Sequence, residues 1–131
     1  MLPITSFQIQ KILETTPMLI GEKYEKGFNC IHFVTKVYSL AGIDTDFTNQ
    51  PRLTFSDLYE EESIGIGYLC FLKHKVHGKN KRFSHIGVIM PNRHLLHYTR
   101  YFGEPNVREV LLTPFEQIFE VYDFVCPIFN S

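Results

Sequence analysis

The sequence predicts an α+β fold, with helices leading and a mostly antiparallel sheet following. Two observations predict it. Apolar residues recur at helical spacing in the first third of the chain, and short apolar runs bounded by turn residues fill the second half. With 131 residues, 44% of them hydrophobic and 15% aromatic, there is enough apolar material for one core, so one domain spanning 1–131 is expected.

The first helix is expected over roughly residues 6–15, where Thr5 and Gln8 have capping-box spacing and Ile9, Ile12 and Leu13 share a face. Pro17 should stop it. The second is the clearest. Phe33, Val34, Val37, Tyr38 and Ala41 form one stripe, Asn29 is a good N-cap and Gly42 a good terminator. Thr54 to Leu58 suggests a further helical turn. Ile64–Leu72 reads as a buried strand and Lys73–Arg82 as a polar loop. Ser84–Met90 and His94–Thr99 read as a hairpin about Pro91-Asn92-Arg93. Val107–Leu112 is a strand candidate. Thr113-Pro114-Phe115-Glu116 looks like a capped helix start, and a last strand is expected near Tyr122–Ile128.

Composition excludes several classes. The chain holds 13 Lys+Arg against 14 Asp+Glu, a formal net charge of −1, which disfavours nucleic acid as a partner. No run of about 18 apolar residues is present, so no membrane span is expected. The start, MLPITSFQIQK, lacks the basic and apolar segments of a signal peptide. Cys30, Cys70 and Cys126 are too few for a disulfide framework, and synthesis in a reducing cytoplasm is the expectation.

Cys30 opens the second helix, where free N–H groups and the helix dipole favour a thiolate, so a depressed pKa is expected. His85 begins a strand. A three-residue turn at 90–92 would put His97 directly opposite it, whereas a two-residue turn would put Tyr98 there. A thiol, an imidazole and a third polar group orienting that imidazole make the plan of a cysteine nucleophile site. Each residue also has an ordinary structural reading: most free cysteines are small buried hydrophobes, and paired strand histidines are commonly packing residues.

GFNCIHFVTKVYSLAGI resembles the nucleophile segment of the NlpC family of papain-like cell-wall cysteine peptidases, which read roughly D-C-S-G-F-V before an apolar helix ending A-G-I. SHIGVIMPNRHLLHYT is similar to that family's H-V-G-I-Y-x-G-x-G-x-x-I-H-A segment, and GIGYLCFL to its G-D-L-x-F-F strand. The resemblance covers about residues 20–100. It implies a papain-like fold and hydrolysis of an amide in a peptide, with a peptidoglycan stem as substrate. It also implies Cys30 as nucleophile, His85 as base, His97 as orienting residue and no cofactor. Tyr24 is the one nearby candidate for the tyrosine that helps the family's oxyanion site, at unusual spacing. The chain departs from the pattern at Asn29, Ile31, His32 and Tyr68, where the family has Asp, Ser, Gly and Asp. Such departures fit a divergent branch, such as small amidases delivered into competitor cells by a specialised route. Monomeric action is expected.

Other readings have less support. His74-x-x-His77 and His94-x-x-His97 suggest zinc, but the first pair lies among lysines, the second points to opposite strand faces, and no acid accompanies either. His32, two positions after Cys30, should point away from it. Cys70 and Cys126 read as core. Lys73, Lys75, Lys79, Lys81 and Arg82 read as a solvated loop, or as a cleft edge attracting an anionic substrate. A papain-like module that only binds is an alternative. So is a thiol acyltransferase acting on lipid, although such proteins place the histidine segment before the cysteine.

Overall fold

In the computed structural model, residues 4–44, 47, 65–78 and 83–128 are described, the last three as backbone only. Helix α1 runs Ser6–Leu19 behind a complete capping box: the Gln8 N–H donates to Thr5 Oγ1 at 3.2 Å, and the Thr5 N–H to Gln8 Oε1 at 3.0 Å. It does not stop before Pro17. Proline this close to the end forfeits only one rung of the ladder, and Thr16 donates its hydroxyl to the Ile12 carbonyl at 2.7 Å across the same turn. Burial of Ile12 and Leu19 favours carrying the helix on to Leu19.

Helix α2 is Cys30–Leu40. It ends at Gly42, whose φ of +81° suits a residue without a Cβ. The Gly42 N–H donates to Ser39 and the Ile43 N–H to Tyr38, so the last carbonyls are satisfied in a Schellman pattern. The turn expected at Thr54–Leu58 and the acidic run Glu60–Glu62 lie outside the described residues.

Strand β1 is Leu69–His74, displaced from the expected 64–72. Gly65–Gly67 turns instead of pairing. Gly67 takes φ +90°, donates to the Ile89 carbonyl at 2.7 Å and accepts the Tyr38 hydroxyl at 2.6 Å. Lys73 and His74, expected to open a loop, pair with Asp123 and Tyr122. Strands β2 (His85–Met90) and β3 (His94–Thr99) form the anticipated hairpin, but its turn is 91–93, with Asn92 and Arg93 at φ +61° and +59°.

Strand β4 (Glu109–Pro114), helix α3 (Phe115–Val121) and strand β5 (Tyr122–Ile128) complete the chain. The start of α3 differs from expectation. Its N-cap is Pro114, with no side-chain cap bond, and Thr113 belongs to β4. Glu116 reaches Arg93 at 3.7 Å in solvent, where an ion pair stabilises little.

The sheet order is β4-β3-β2-β1-β5, and every pairing is antiparallel. Pro114 and Pro127 lie on the two edge strands, where a missing N–H is tolerated. Alternation gives the sheet two apolar faces. Leu69, Phe71, Ile86, Val88, Leu96 and Val110 pack with the buried stripes of α1 and α2. Cys70, Leu72, Ile89 and Leu95 pack with Ile118 and Tyr122 on the other side. The molecule is thus an α+β papain-like arrangement of N-terminal helices on an antiparallel sheet. Among the described residues, no helix is long and apolar enough to cross a membrane.

Candidate active site

Cys30 is the first residue of α2, and the cap before it is closed from both sides. Asn29 Oδ1 accepts the N–H groups of Ile31 and His32 at 3.0 and 3.1 Å, while the Asn29 N–H donates to His32 Nδ1 at 3.2 Å. His32 therefore takes the role that Glu or Gln fills in an ordinary capping box. Its ring also packs on Phe28 and so braces the segment carrying Cys30. The backbone N–H groups of Ile86, Ile31 and Cys30 lie near the Cys30 sulfur and favour its thiolate.

Burial pushes the Cys30 thiol above its ordinary value; the three N–H groups and the charge of Arg108 pull the other way and lose. The expected depression by the helix start is thus overturned. Removing a thiolate from water outweighs the partial charge of one helix end.

His85 and His97 are joined ring to ring, Nε2 to Nδ1, at 2.7 Å. They are not directly opposed. Val88 faces Leu96, and continuing that register puts Gly87 opposite His97 and His85 opposite Thr99. The imidazoles meet diagonally across the position where Gly87 has no side chain. A Cβ there would lie 2.7 Å from two Leu95 side-chain atoms and 2.9 Å from the Leu96 carbonyl oxygen.

The chain of bonds continues from His97 Nε2 to Thr113 Oγ1 at 2.9 Å. All three residues are buried. If His97 donates to Thr113, His97 Nδ1 is an acceptor and His85 Nε2 must donate. His85 Nδ1 is then a bare lone pair. Burial lowers the His85 pKa to about 3, and that of His97 well below its usual value with His85 adding repulsion, so both rings are neutral near pH 7.

Cys30 and His85 line one open cavity of about 500 Å³, with no direct hydrogen bond between them. Tyr122 forms a wall. Its ring stacks on His85 at 4.9 Å and 18°. His74, His77, Tyr101, Arg100 and Arg108 extend the lining.

Tyr24 is not in this lining. Its hydroxyl donates to Glu22 at 2.6 Å and its ring packs on Phe28 and Tyr98. Cys70 is buried in the sheet, and the side chain of Cys126 lies outside the described residues. His74 Nδ1 accepts the N–H groups of Val76 and His77, and His94 Nδ1 bonds the Asn92 carbonyl. Among the described residues, no three His, Cys, Asp or Glu side chains converge to hold a metal ion. Of the basic cluster, Lys79, Lys81 and Arg82 lie outside the described residues.

Thr113, Tyr122, Arg100 and Arg108 escaped sequence reasoning. Thr113 carried a plausible cap signal that hid its strand role. The others come from separate elements that only the fold brings to Cys30.

The fold is an α+β domain that sets Cys30 and the His85–His97 pair about one cavity. No family model and no curated protein matches the chain. Solved structures do. An NlpC/P60 family protein from Bacillus cereus superposes over 93% of this chain and 40% of its own, with TM-score 0.63 and 22% identity. A protein described as similar to lipoprotein, NLP/P60 family, from Staphylococcus aureus superposes over 99% of this chain and 44% of its own, with TM-score 0.57 and 18% identity. The chain therefore has the NlpC/P60 fold in a divergent form, and it spans about two fifths of the length of those two proteins.

Proposed function

We propose that the chain is a cysteine-dependent amide hydrolase in which Cys30 is the nucleophile, His85 the base and His97 the orienting residue. The observation that carries this reading is the buried His85–His97–Thr113 chain ending beside the cavity that Cys30 lines. An imidazole held in one tautomer by a second ring is a positioned base, and nothing in core packing requires that arrangement. His85 Nδ1 takes the thiol proton as the sulfur attacks the amide carbonyl. The developing oxyanion is stabilised by the Cys30 N–H, the one at the start of α2 that neither Asn29 Oδ1 nor the Asn29 carbonyl takes. The imidazolium returns the proton to the leaving amine. Water then adds to the thioester through the same base and releases acid and thiol. Burial keeps both thiol and imidazole neutral at rest, so proton transfer accompanies attack rather than preceding it.

A peptidoglycan stem peptide is the substrate we propose, supported by the likeness to NlpC/P60 structures. The test is digestion of purified peptidoglycan and its soluble fragments, with products read by mass. Cys30→Ala and His85→Ala should each lower turnover by about 10⁴-fold or more, since the two act as a unit. His97→Ala should retain more activity, because it sets tautomer and geometry. Cleavage surviving Cys30→Ala overturns the mechanism. A reactive Cys30 with no stem peptide cut overturns the substrate alone.

A further inference from the structure

The walls of the cavity carry charge of one sign. Arg100 and Arg108 both line it, and no Asp or Glu does so among the described residues. Neither guanidinium has a carboxylate within ion-pair distance among those residues. Arg100 lies along Tyr101, with its carbon 5.4 Å from the ring centroid and Nη2 donating to the Tyr101 hydroxyl at 3.4 Å. That stacking restricts the side chain while leaving its other N–H groups unused. Arg108 precedes β4 and is close enough for its charge to be felt at the Cys30 sulfur. The two come from opposite sides of the loop between β3 and β4, so one segment delivers both cations to the nucleophile.

We infer that Arg100 and Arg108 form an anion subsite that holds a free carboxylate of the substrate close to the scissile amide. Guanidinium matches a carboxylate through paired N–H donors, and both arginines are exposed at the edge of the cavity, where they meet an arriving anion. This deepens the hydrolase reading and rests on it for the word substrate. A neutral or cationic peptide gains nothing from these walls, and an anionic one is both attracted and oriented. The basic cluster at 73–82 is not needed for it, since both cations lie on the β3–β4 loop.

The experiment compares two alkylating agents of nearly equal size at Cys30: iodoacetate, which carries a carboxylate, and iodoacetamide, which does not. Rates are read by mass spectrometry at one pH and low salt, and their ratio is divided by the same ratio for N-acetylcysteine. At one pH the thiolate fraction cancels from the ratio, so any effect of Arg108 on the thiol itself drops out. The normalised preference for iodoacetate should be about tenfold and should shrink in 0.5 M salt. Arg108→Gln and Arg100→Gln should each reduce it, and the double variant should bring it to about one. His85 is unchanged in all of these variants, so a preference it caused would survive. A ratio near one in the wild type, or a ratio unmoved by both substitutions, overturns the subsite while Cys30 remains a reactive thiol. A Cys30 inert to both agents in the folded protein overturns the subsite and the hydrolase reading together.

Discussion

His85 and His97 share a 2.7 Å ring-to-ring hydrogen bond although the ladder sets them diagonally rather than face to face. The bond exists because three conditions coincide. The turn has three residues at 91–93, Gly87 carries no Cβ to displace the Leu95 side chain packed beside it, and Thr113 on the next strand anchors the far side of His97. Each condition can be removed separately.

Thr113→Val removes the partner of a fully buried imidazole nitrogen while keeping the side-chain volume. Stability should fall by about 1–3 kcal/mol, the cost of an orphaned buried polar group. Thr113→Ser should recover most of the loss, because it restores the hydroxyl. Urea denaturation of the three proteins measures this, and equal stability of Val and wild type would contradict the assigned bond.

Gly87→Ala puts a Cβ into Leu95 and the Leu96 carbonyl, and the carbonyl cannot move without disturbing the hairpin. A loss of about 1–3 kcal/mol is expected from this overpacking. Leu95 and the Leu96 carbonyl flank His97 in β3, so a change in the imidazole nitrogen shifts of His97 by NMR should accompany the repacking, and urea denaturation measures the loss.

Acid should destabilise the fold. The pKa of His85 is lowered by burial to about 3, against about 6.5 for an unfolded chain, and His97 is lowered as well. Between those values the unfolded state binds more protons than the folded one, so stability falls as pH falls through this window and is fully present above it. The loss should be on the order of several kcal/mol by the lower end. Denaturation midpoints from pH 7.5 to 4 check this, and His85→Gln should flatten the curve.

Alkylation of Cys30 should follow an alkaline pH profile. Its midpoint should lie above that of an ordinary thiol, because burial outweighs the N–H donors and Arg108. Arg108→Gln should move the midpoint further up. Cys70, buried in the sheet, should label only on unfolding. A midpoint below neutrality would show a resting thiolate–imidazolium pair instead of the neutral pair.

Local chemistry determined much of this protein from sequence alone. The Thr5–Gln8 box, the Asn29 cap, the apolar stripe of α2 and its Gly42 terminus are short-range signals, and each is realised as read. Strand alternation likewise separated the sheet's two faces, but whether His97 or Tyr98 shared a face with His85 hung on the length of the turn, which the structure sets at three residues. Tertiary structure decided what depends on distant partners. Pro17 is carried inside α1 because Ile12 and Leu19 bury themselves beyond any local preference. Thr113 has a cap residue's composition, yet its hydroxyl is taken by His97 on the neighbouring strand. The direction of the Cys30 shift was illegible for the same reason: the helix end is written in the sequence, whereas the desolvation that outweighs it comes from the surrounding fold. Arg100, Arg108 and Tyr122 reach the cavity only once β3, β4 and β5 are folded around it, since sequence distance carries no record of which strand ends converge.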